Sequence, residues 1–408
     1  MLRTADKPDS GIQTAVRPRL TAVDALRGAV MVIMALDHVR DFFHAGAMVA
    51  PPEDLSRTTV ILFMTRWITH ICAPSFFFLA GMSAGFRLER YGSKRELSWF
   101  LLTRGLWLIV LEATAMRLAL NFTPDFRYPL LLLVLWALGV SMIALAALIH
   151  LPVRALAIVS LALIVLHNTL DGVQPTQFGA FAPIWQIFHQ PGLFLLAGMP
   201  IIVGYPVLPW IGVMAAGYCM APIFKLDAER RRRLLTRTGI ALIALFVILR
   251  FVNVYGNPIP WSQQATPVLT FLSFLNVTKY PPSLDFILMT IGPALLALSW
   301  FDRLGLPRDN PLAVIGRVPL FYFIVHFWMA HVLASLFAWL RYGRASLAYL
   351  FAPLPSAGGP RELFPPDFGY SLWVVYAVWI AVVVAMYPLC RWFDGLKSRR
   401  RSWWLSYL

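Results

Sequence analysis

The chain has 408 residues, of which 59% are hydrophobic and only 13% are charged. A soluble domain carries about 25% charged residues, so this chain cannot cover its surface with solvated side chains. The composition therefore excludes a soluble globular protein. It indicates an integral membrane protein with several membrane-spanning helices.

The net charge of +15 does not indicate a nucleic-acid partner. Lys and Arg cluster between the apolar segments, where they act as orientation signals, so the lipid bilayer is the expected partner. Three cysteines, Cys72, Cys219 and Cys390, lie in apolar stretches. Their spacing fits neither a metal site nor a disulfide framework, and no metal is predicted.

In chain order, the sequence predicts an all-α polytopic bundle of ten spans, or eleven if the proline-interrupted stretch 181–204 also crosses. The predicted spans are 22–43, 58–86, 97–117, 129–149, 153–170, 205–224, 238–254, 281–300, 311–340 and 370–390. They form one transmembrane domain, 21–393. This domain lies between a tail of residues 1–20 and a basic tail of residues 394–408.

The distribution of positive charge predicts the orientation of the spans. If residues 171–204 do not cross the membrane, 22 Lys and Arg residues lie on the side of both termini and 6 on the opposite side. The positive-inside rule then places both termini in the cytoplasm. Segment 171–204 becomes an extracytoplasmic or re-entrant lid, and irregular backbone at membrane depth implies a cavity beside it.

The first span carries ionisable residues on one stripe of an otherwise apolar helix. At 100° per residue, this stripe contains Asp24, Arg27, Gly28, Ala35 and His38. The small residues in its middle allow another helix, or an extended substrate chain, to come close. Ionisable groups inside a membrane are costly and predict a functional site. The alternative is that Asp24 and Arg27 form an interfacial ion pair that caps the helix.

Further polar residues occur at similar depth. Asp37, Asp41 and His44 follow the apolar run of the first span. The second span carries Arg66 and His70 four residues apart, and such residues share a helix face. The ninth span repeats this spacing with the pair Tyr322 and His326. Several histidines at one depth favour a site over simple packing. Five other ionisable residues are interpreted as structural: His150, His167, His189, Arg104 and Glu112.

Five blocks of sequence occur in order between about residue 19 and residue 331. They are RLTAVDALRGAVMVIMALDHVRDFF, HICAPSFFFLAGMSAGF, YPVLPWIGVMAAGY, LNVTKYPPSLDFILMTIG and NPLAVIGRVPLFYFIVH. Together they resemble the bacterial relatives of heparan-α-glucosaminide N-acetyltransferase, within the transmembrane acyltransferase superfamily. The resemblance implies that acyl-CoA is used from the cytoplasm. It also implies that an acceptor outside the membrane is acylated.

The resemblance leaves the catalytic base open between two histidines. The O-acyltransferase branch of the superfamily is similar at Asp24, Arg27 and His38, and there the matching histidine is the base. In the lysosomal heparan enzyme an amide stands at the position matching His38. The proposed catalytic histidine of that enzyme lies in the following loop, where this chain has His44.

Acetyl transfer to an amine or hydroxyl requires removal of the acceptor's proton as it attacks the thioester. A neutral imidazole suits that task near pH 7, and Asp37 or Asp41 would orient the ring. Alternatively, His38 takes the acetyl group itself and passes it on. The candidate oxyanion donors are His70, Tyr322 and His326.

The remaining candidate residues bind the two substrates. Arg27 and the cytoplasmic basic loops suit the phosphates of CoA, whose pantetheine arm would run along the face of Gly28 and Ala35. The candidates for CoA binding are Asp24, Arg27, Gly28, Arg66 and Arg317, and those for the acceptor are Asp41, Lys279, Tyr280 and Tyr322. Lys279 is alternatively a snorkelling anchor at the membrane interface.

The sequence therefore predicts a multi-pass acyltransferase of the bacterial cytoplasmic membrane. It would move an acetyl group from acetyl-CoA to an amine or hydroxyl of an extracytoplasmic acceptor, a sugar or glycan, and a homodimer is considered. The alternative is a proton-coupled secondary transporter, which also places charges around a midplane cavity. No inverted repeat supports the transporter. A structural membrane protein without chemistry leaves the histidines unexplained.

Overall fold

The computed structural model describes residues 18–125, 128–355 and 359–400, and most of these are helical. The α-helices are α1 (Pro18–Phe43), α2 (Val60–Thr69), α3 (Cys72–Tyr91), α4 (Lys94–Leu111), α5 (Arg117–Asn121), α6 (Val134–Leu148), α7 (Val153–Val165), α8 (Ala182–Phe188), α9 (Leu208–Met220), α10 (Ala228–Val252), α11 (Pro267–Leu275), α12 (Leu284–Leu304), α13 (Pro311–Arg317), α14 (Pro319–Tyr342) and α15 (Leu372–Arg399). A π-helical turn, Glu112–Met116, joins α4 to α5.

A small sheet corrects the expectation of an all-α chain. Strand β1 (Leu130–Leu132) pairs in parallel with β3 (Met199–Val203), which pairs antiparallel with β2 (Gly192–Leu196). The hairpin between β2 and β3 turns through Gly198, whose φ of +83° suits glycine. The predicted lid, 171–204, is therefore a structured segment of short helices and a hairpin, joined to the start of the predicted fourth span.

Six helical segments of the described chain are long and apolar enough to cross a membrane. They are Val60–Tyr91, Lys94–Asn121, Ala228–Val252, Leu284–Leu304, Pro319–Ala348 and Leu372–Arg399. Helices α6 and α7 are apolar but shorter. The chain is thus a polytopic helical membrane protein. The number of ten spans remains a prediction, as does the division into one domain with two tails.

Several predicted spans are not single continuous helices, and the second breaks at His70 and Ile71, between α2 and α3. The ninth breaks at Val318, between α13 and α14, because Pro319 has no N–H to continue the hydrogen bonds of α13. The sequence predicts that the fourth is helical from residue 129. Its first residues form β1 instead, so the helix begins only at Val134.

Helix α1 is central and contacts α2, α3 and α12 to α15. Its approach to α13 requires two glycines. A Cβ on Gly28 would lie 1.9 Å from the Leu312 carbonyl oxygen, and a Cβ on Gly316 would lie 1.8 Å from that of Asp24. Helix α13 therefore occupies the space beside Gly28, which corrects the expectation that the pantetheine arm runs there.

Candidate active site

A cavity of about 930 Å³ lies where α1 ends, and we call it the histidine cavity because His38 is part of its wall. Its wall also includes the loop before α2, strand β3 and the loop before α12. These segments are far apart in sequence. Of the predicted site residues, the cavity brings together Asp37, His38, Asp41, Arg66, Lys279 and Tyr280.

His38 and His326 form a hydrogen-bonded pair. The Nδ1 atom of His38 lies 2.8 Å from Nε2 of His326, and Nδ1 of His326 lies 2.7 Å from the Tyr322 carbonyl oxygen. A carbonyl oxygen only accepts, so His326 donates from Nδ1, and in the neutral ring its Nε2 accepts the proton of His38 Nδ1. The Nε2 atom of His38 is then left with a lone pair. No hydrogen bond within the described residues occupies that atom.

The aromatic rings of Phe323 and Phe327 pack on His38, with ring centroids 5.8 Å and 4.8 Å from the imidazole. These contacts hold the ring at one edge of the cavity. His326 is fully buried behind it and is absent from the cavity wall. The structure therefore places His326 as a support of His38, rather than as the predicted oxyanion donor.

The Asp37 carboxylate does not orient His38, which corrects the expectation from sequence. One of its oxygens lies 2.8 Å from a guanidinium nitrogen of Arg40, and the other lies 2.5 Å from one of Arg66. Asp41 likewise pairs with Arg40, at 2.7 Å. Both carboxylates are therefore part of an ion network that fixes the cavity wall.

Arg66 extends this network to the loop before α2. Its Nε lies 2.7 Å from Glu53 Oε1, and His70 Nε2 lies 3.5 Å from the same oxygen. Burial opposes ionisation of Glu53, but the charge of Arg66 and the nearby His70 ring outweigh it. They hold the pKa of Glu53 well below its ordinary 4.5. Arg66 is thus engaged by carboxylates on this side of the molecule and is not available as a CoA-binding residue.

Three other predicted residues lie away from the cavity wall. His70 and Tyr322 are both buried outside it, so neither is placed to serve as an oxyanion donor or to contact an acceptor. His44 instead accepts a hydrogen bond from the Gly46 N–H, at 3.1 Å, and caps a short 3₁₀ turn. Burial, together with the charge of Arg40, lowers the pKa of His44. The structure places His38 on the cavity and His44 outside it.

Lys279 and Tyr280 face the histidine cavity from the loop before α12. The Lys279 ammonium lies 5.1 Å from the centroid of the Tyr280 ring. No carboxylate within the described residues lies within ion-pair distance of it. Burial raises the pKa of the Tyr280 phenol, but the charges of Lys279 and Arg66 outweigh burial, so this pKa is below the ordinary 10.0. Lys279 thus contributes a cation to the cavity wall, and Tyr280 contributes a phenol with a lowered pKa.

A second cavity, of about 370 Å³, lies toward the opposite end of α1. We call it the basic cavity, after its cationic residues Arg27, Arg87, Arg104, Arg317 and Lys397. Its wall shares Phe76, Val134 and Phe323 with the histidine cavity. The two cavities therefore lie next to each other in the interior of the bundle, with these three side chains between them.

Arg27 is held in place by three hydrogen bonds at the basic cavity. It donates to Asp24 at 3.0 Å, to the Gly316 carbonyl at 3.0 Å and to the Ser83 hydroxyl at 2.9 Å. Asp24 thus acts on Arg27 and is not itself on the cavity wall. Arg317 is similarly fixed, by a two-pronged contact with Asp394.

Sequence reasoning missed Arg40, Glu53 and Lys397, interpreted Arg104 as structural, and included Arg87 only as part of a cytoplasmic basic loop. Arg40 follows Asp37 by three residues, and that spacing is a usable signal for a helical ion pair. Glu53 lies in an irregular loop, where no periodicity marks it. Within the described residues, no group of His, Cys, Asp or Glu side chains is arranged to hold a metal ion.

A comparison with protein families matches residues 19–251 to the catalytic domain of heparan-α-glucosaminide N-acetyltransferase. The chain belongs to this family. The heparan-α-glucosaminide N-acetyltransferase match covers more than half of the chain and includes His38, Arg27 and Glu53. It ends before Lys279 and His326. A comparison with curated proteins gives no match. The family is one of membrane acetyltransferases, and this agrees with the helical membrane fold.

Proposed function

We propose that this protein transfers an acetyl group from acetyl-CoA to an amine or hydroxyl of a sugar or glycan acceptor. The observation that carries this proposal is the adjacency of two unlike cavities. One presents five cations, the other presents an unpaired imidazole nitrogen, and they share the wall residues Phe76, Val134 and Phe323. A donor with an anionic head and a long thin arm fits this arrangement.

The basic cavity suits the phosphates of CoA. Guanidinium groups bind phosphate oxygens in a bidentate manner, and Arg27 and Arg317 are already oriented by their own hydrogen bonds. The pantetheine arm would pass Phe76 and Phe323 and bring the thioester to His38. The arm thus takes the route between the cavities.

His38 is the proposed base. Its Nε2 takes the proton of the acceptor while the acceptor nitrogen or oxygen bonds to the thioester carbonyl carbon. When the carbon–sulfur bond breaks, the proton returns from His38 to the CoA sulfur. In the alternative route, His38 Nε2 bonds to the acetyl carbon as the carbon–sulfur bond breaks, and the acceptor then takes the acetyl group from His38. In this route too, the proton lost by the acceptor ends on the CoA sulfur. In both routes His326 holds the proton-bearing Nδ1 of His38, which keeps Nε2 toward the substrates.

The acceptor would occupy the histidine cavity beside Lys279 and Tyr280. Lys279 suits an acidic group on the acceptor, such as the carboxylate of an acidic sugar, because no protein carboxylate in the described residues lies within ion-pair distance of it. The 22-to-6 distribution of Lys and Arg supports cytoplasmic termini. On that orientation, the histidine cavity opens on the extracytoplasmic side of a bacterial inner membrane.

Purified protein in detergent, given acetyl-CoA and a panel of amino and acidic sugars, tests the proposal. We expect release of free CoA and, by mass spectrometry, an acceptor heavier by one acetyl group. Lys279→Gln should raise the KM for acidic acceptors and leave the KM for neutral acceptors unchanged. A proton-coupled transporter, the alternative, would move solute in vesicles without consuming acetyl-CoA. Such transport without transfer would refute the proposal.

A further inference from the structure

Glu112 is a buried carboxylate that the proposed chemistry leaves without a role. It lies in the π-helical turn after α4 and its residue is 3% exposed. Its Oε2 accepts hydrogen bonds from the backbone N–H groups of Leu135, at 2.8 Å, and Trp136, at 3.0 Å. These are orphan donors of the first turn of α6, and Leu133 offers no side-chain cap for them. Capping of α6 thus gives a role to Oε2, one of the two carboxylate oxygens.

The second oxygen, Oε1, is not explained by capping. Within the described residues, no hydrogen bond to this atom forms. The atom is also not one of the fully buried polar atoms that lack a partner, so it is accessible. Glu112 is part of the wall of the histidine cavity. A buried carboxylate on the wall of the histidine cavity therefore keeps one oxygen without a hydrogen bond from the described residues.

Glu112 is located beside the wall that the two cavities share. Val134 lies on the wall of both, and Leu135, whose N–H Glu112 caps, lies on the wall of the basic cavity. A donor arm that extends from the basic cavity to His38 must pass this point. The walls there are apolar, with Phe76 and Phe323 on the other sides.

We propose that Glu112 Oε1 accepts a hydrogen bond from an amide N–H of the pantetheine arm, which sets the depth of the thioester relative to His38. The inference rests on the proposed function, because it takes an acyl-CoA as donor. The nearest amide N–H of the arm is two carbons from the sulfur. In an apolar passage an N–H without a partner would be costly, and Glu112 supplies the partner.

The substitution Glu112→Gln separates this role from capping. The amide oxygen of glutamine can still accept from Leu135 and Trp136, so α6 keeps its cap. The group facing the cavity then becomes an NH₂, which donates instead of accepting. Glu96→Gln, at an exposed position in the first turn of α4, is the matched control. Glu112→Ala, which removes the cap as well, should lower the unfolding temperature, whereas Glu112→Gln should not.

Two short thioesters make the test specific for the amide. S-acetyl-N-acetylcysteamine carries the amide that is two carbons from the sulfur, and S-ethyl thioacetate lacks it. We expect Glu112→Gln to lower kcat/KM for the first roughly tenfold, since the variant places a donor opposite the amide N–H and leaves that N–H without an acceptor. The value for the second should stay unchanged. Calorimetry should show a similar loss of affinity for CoA itself.

Two results would overturn the inference while leaving the proposed function in place. One is an equal effect, or none, of Glu112→Gln on the two thioesters and on CoA affinity. The other is a rise in the acceptor KM with unchanged donor parameters, which would assign Oε1 to the acceptor. If the unaltered protein binds no CoA and transfers from none of these donors, the proposed function fails and the inference fails with it.

Discussion

His38 Nδ1 lies 2.8 Å from His326 Nε2, across 288 positions of the chain. The Tyr322 carbonyl determines which nitrogen of His326 carries the proton, and His326 in turn determines which nitrogen of His38 does. Each hydrogen bond thus fixes the tautomer of the next histidine ring, and we call this arrangement the tautomer relay. Its effect is to present the lone pair of His38 Nε2 to the histidine cavity. Of the two candidate bases, this favours His38.

His38→Ala is expected to lower kcat by about 10² to 10⁴, the usual loss on removal of a general base. His44→Ala should leave kcat within a few-fold, because His44 caps a turn outside the cavity wall. Steady-state acetyl transfer by both variants, with unfolding temperatures as a folding control, decides between them. An active His38→Ala beside an inactive His44→Ala would reverse the assignment.

His326→Gln and His326→Leu form a matched pair that tests the relay. The amide oxygen of glutamine can still accept the proton of His38 Nδ1, whereas leucine cannot. We expect His326→Leu to lower kcat roughly tenfold or more below His326→Gln, with KM for acetyl-CoA little changed. Equal kcat values for the two variants would show that tautomer control by His326 is not required.

Lys397→Gln is expected to raise the KM for acetyl-CoA roughly fivefold at low ionic strength, because Lys397 is one of the cations of the basic cavity. The increase should shrink as salt screens the charge, and the acceptor KM should stay constant. Arg230→Gln, exposed on α10, is the control. A rise in KM that is equal in both variants would argue against a phosphate site in this cavity.

The predicted topology is tested with single cysteines in a variant without Cys72, Cys219 and Cys390. Positions 56 and 95 are suitable because both are exposed. Ser93, at the same membrane side as Arg95, is less suitable since its hydroxyl caps α4. We expect a membrane-impermeant reagent to label the two positions from opposite sides. Labelling of both from one side would contradict cytoplasmic termini.

Glu53 should make the free energy of unfolding fall as the pH is lowered. Its pKa is depressed in the folded state, so its contribution is complete above the unfolded value of about 4.5 and is lost as pH falls below it. Glu53→Gln should destabilise the protein by about 1 kcal/mol near pH 7. It should also flatten the fall in unfolding temperature below about pH 4.5.

The control for this prediction is Glu229→Gln, on the exposed side of α10, which should leave the pH profile unchanged. If the unfolding temperatures of Glu53→Gln and the unaltered protein fall in parallel with acid, the ion pair with Arg66 does not contribute as proposed.

Membrane location and the predominance of helices follow from the sequence alone, because apolar content and segment length depend only on composition and order. The sequence also identifies the charged stripe of the first span, since residues on one helix share a fixed geometry. The family blocks place His38 and Arg27 among the candidates. These features are local, and no tertiary contact is needed to find them.

The tertiary structure alone decided which of these residues act together. Asp37 and His38 lie on the same helix. Nevertheless, Asp37 pairs with Arg66 from α2, whereas His38 pairs with His326 from α14. Helix periodicity gives the direction of a side chain but not the helix that packs against it. The basic cavity and the free oxygen of Glu112 are likewise products of packing between distant segments, for which a single sequence carries no signal.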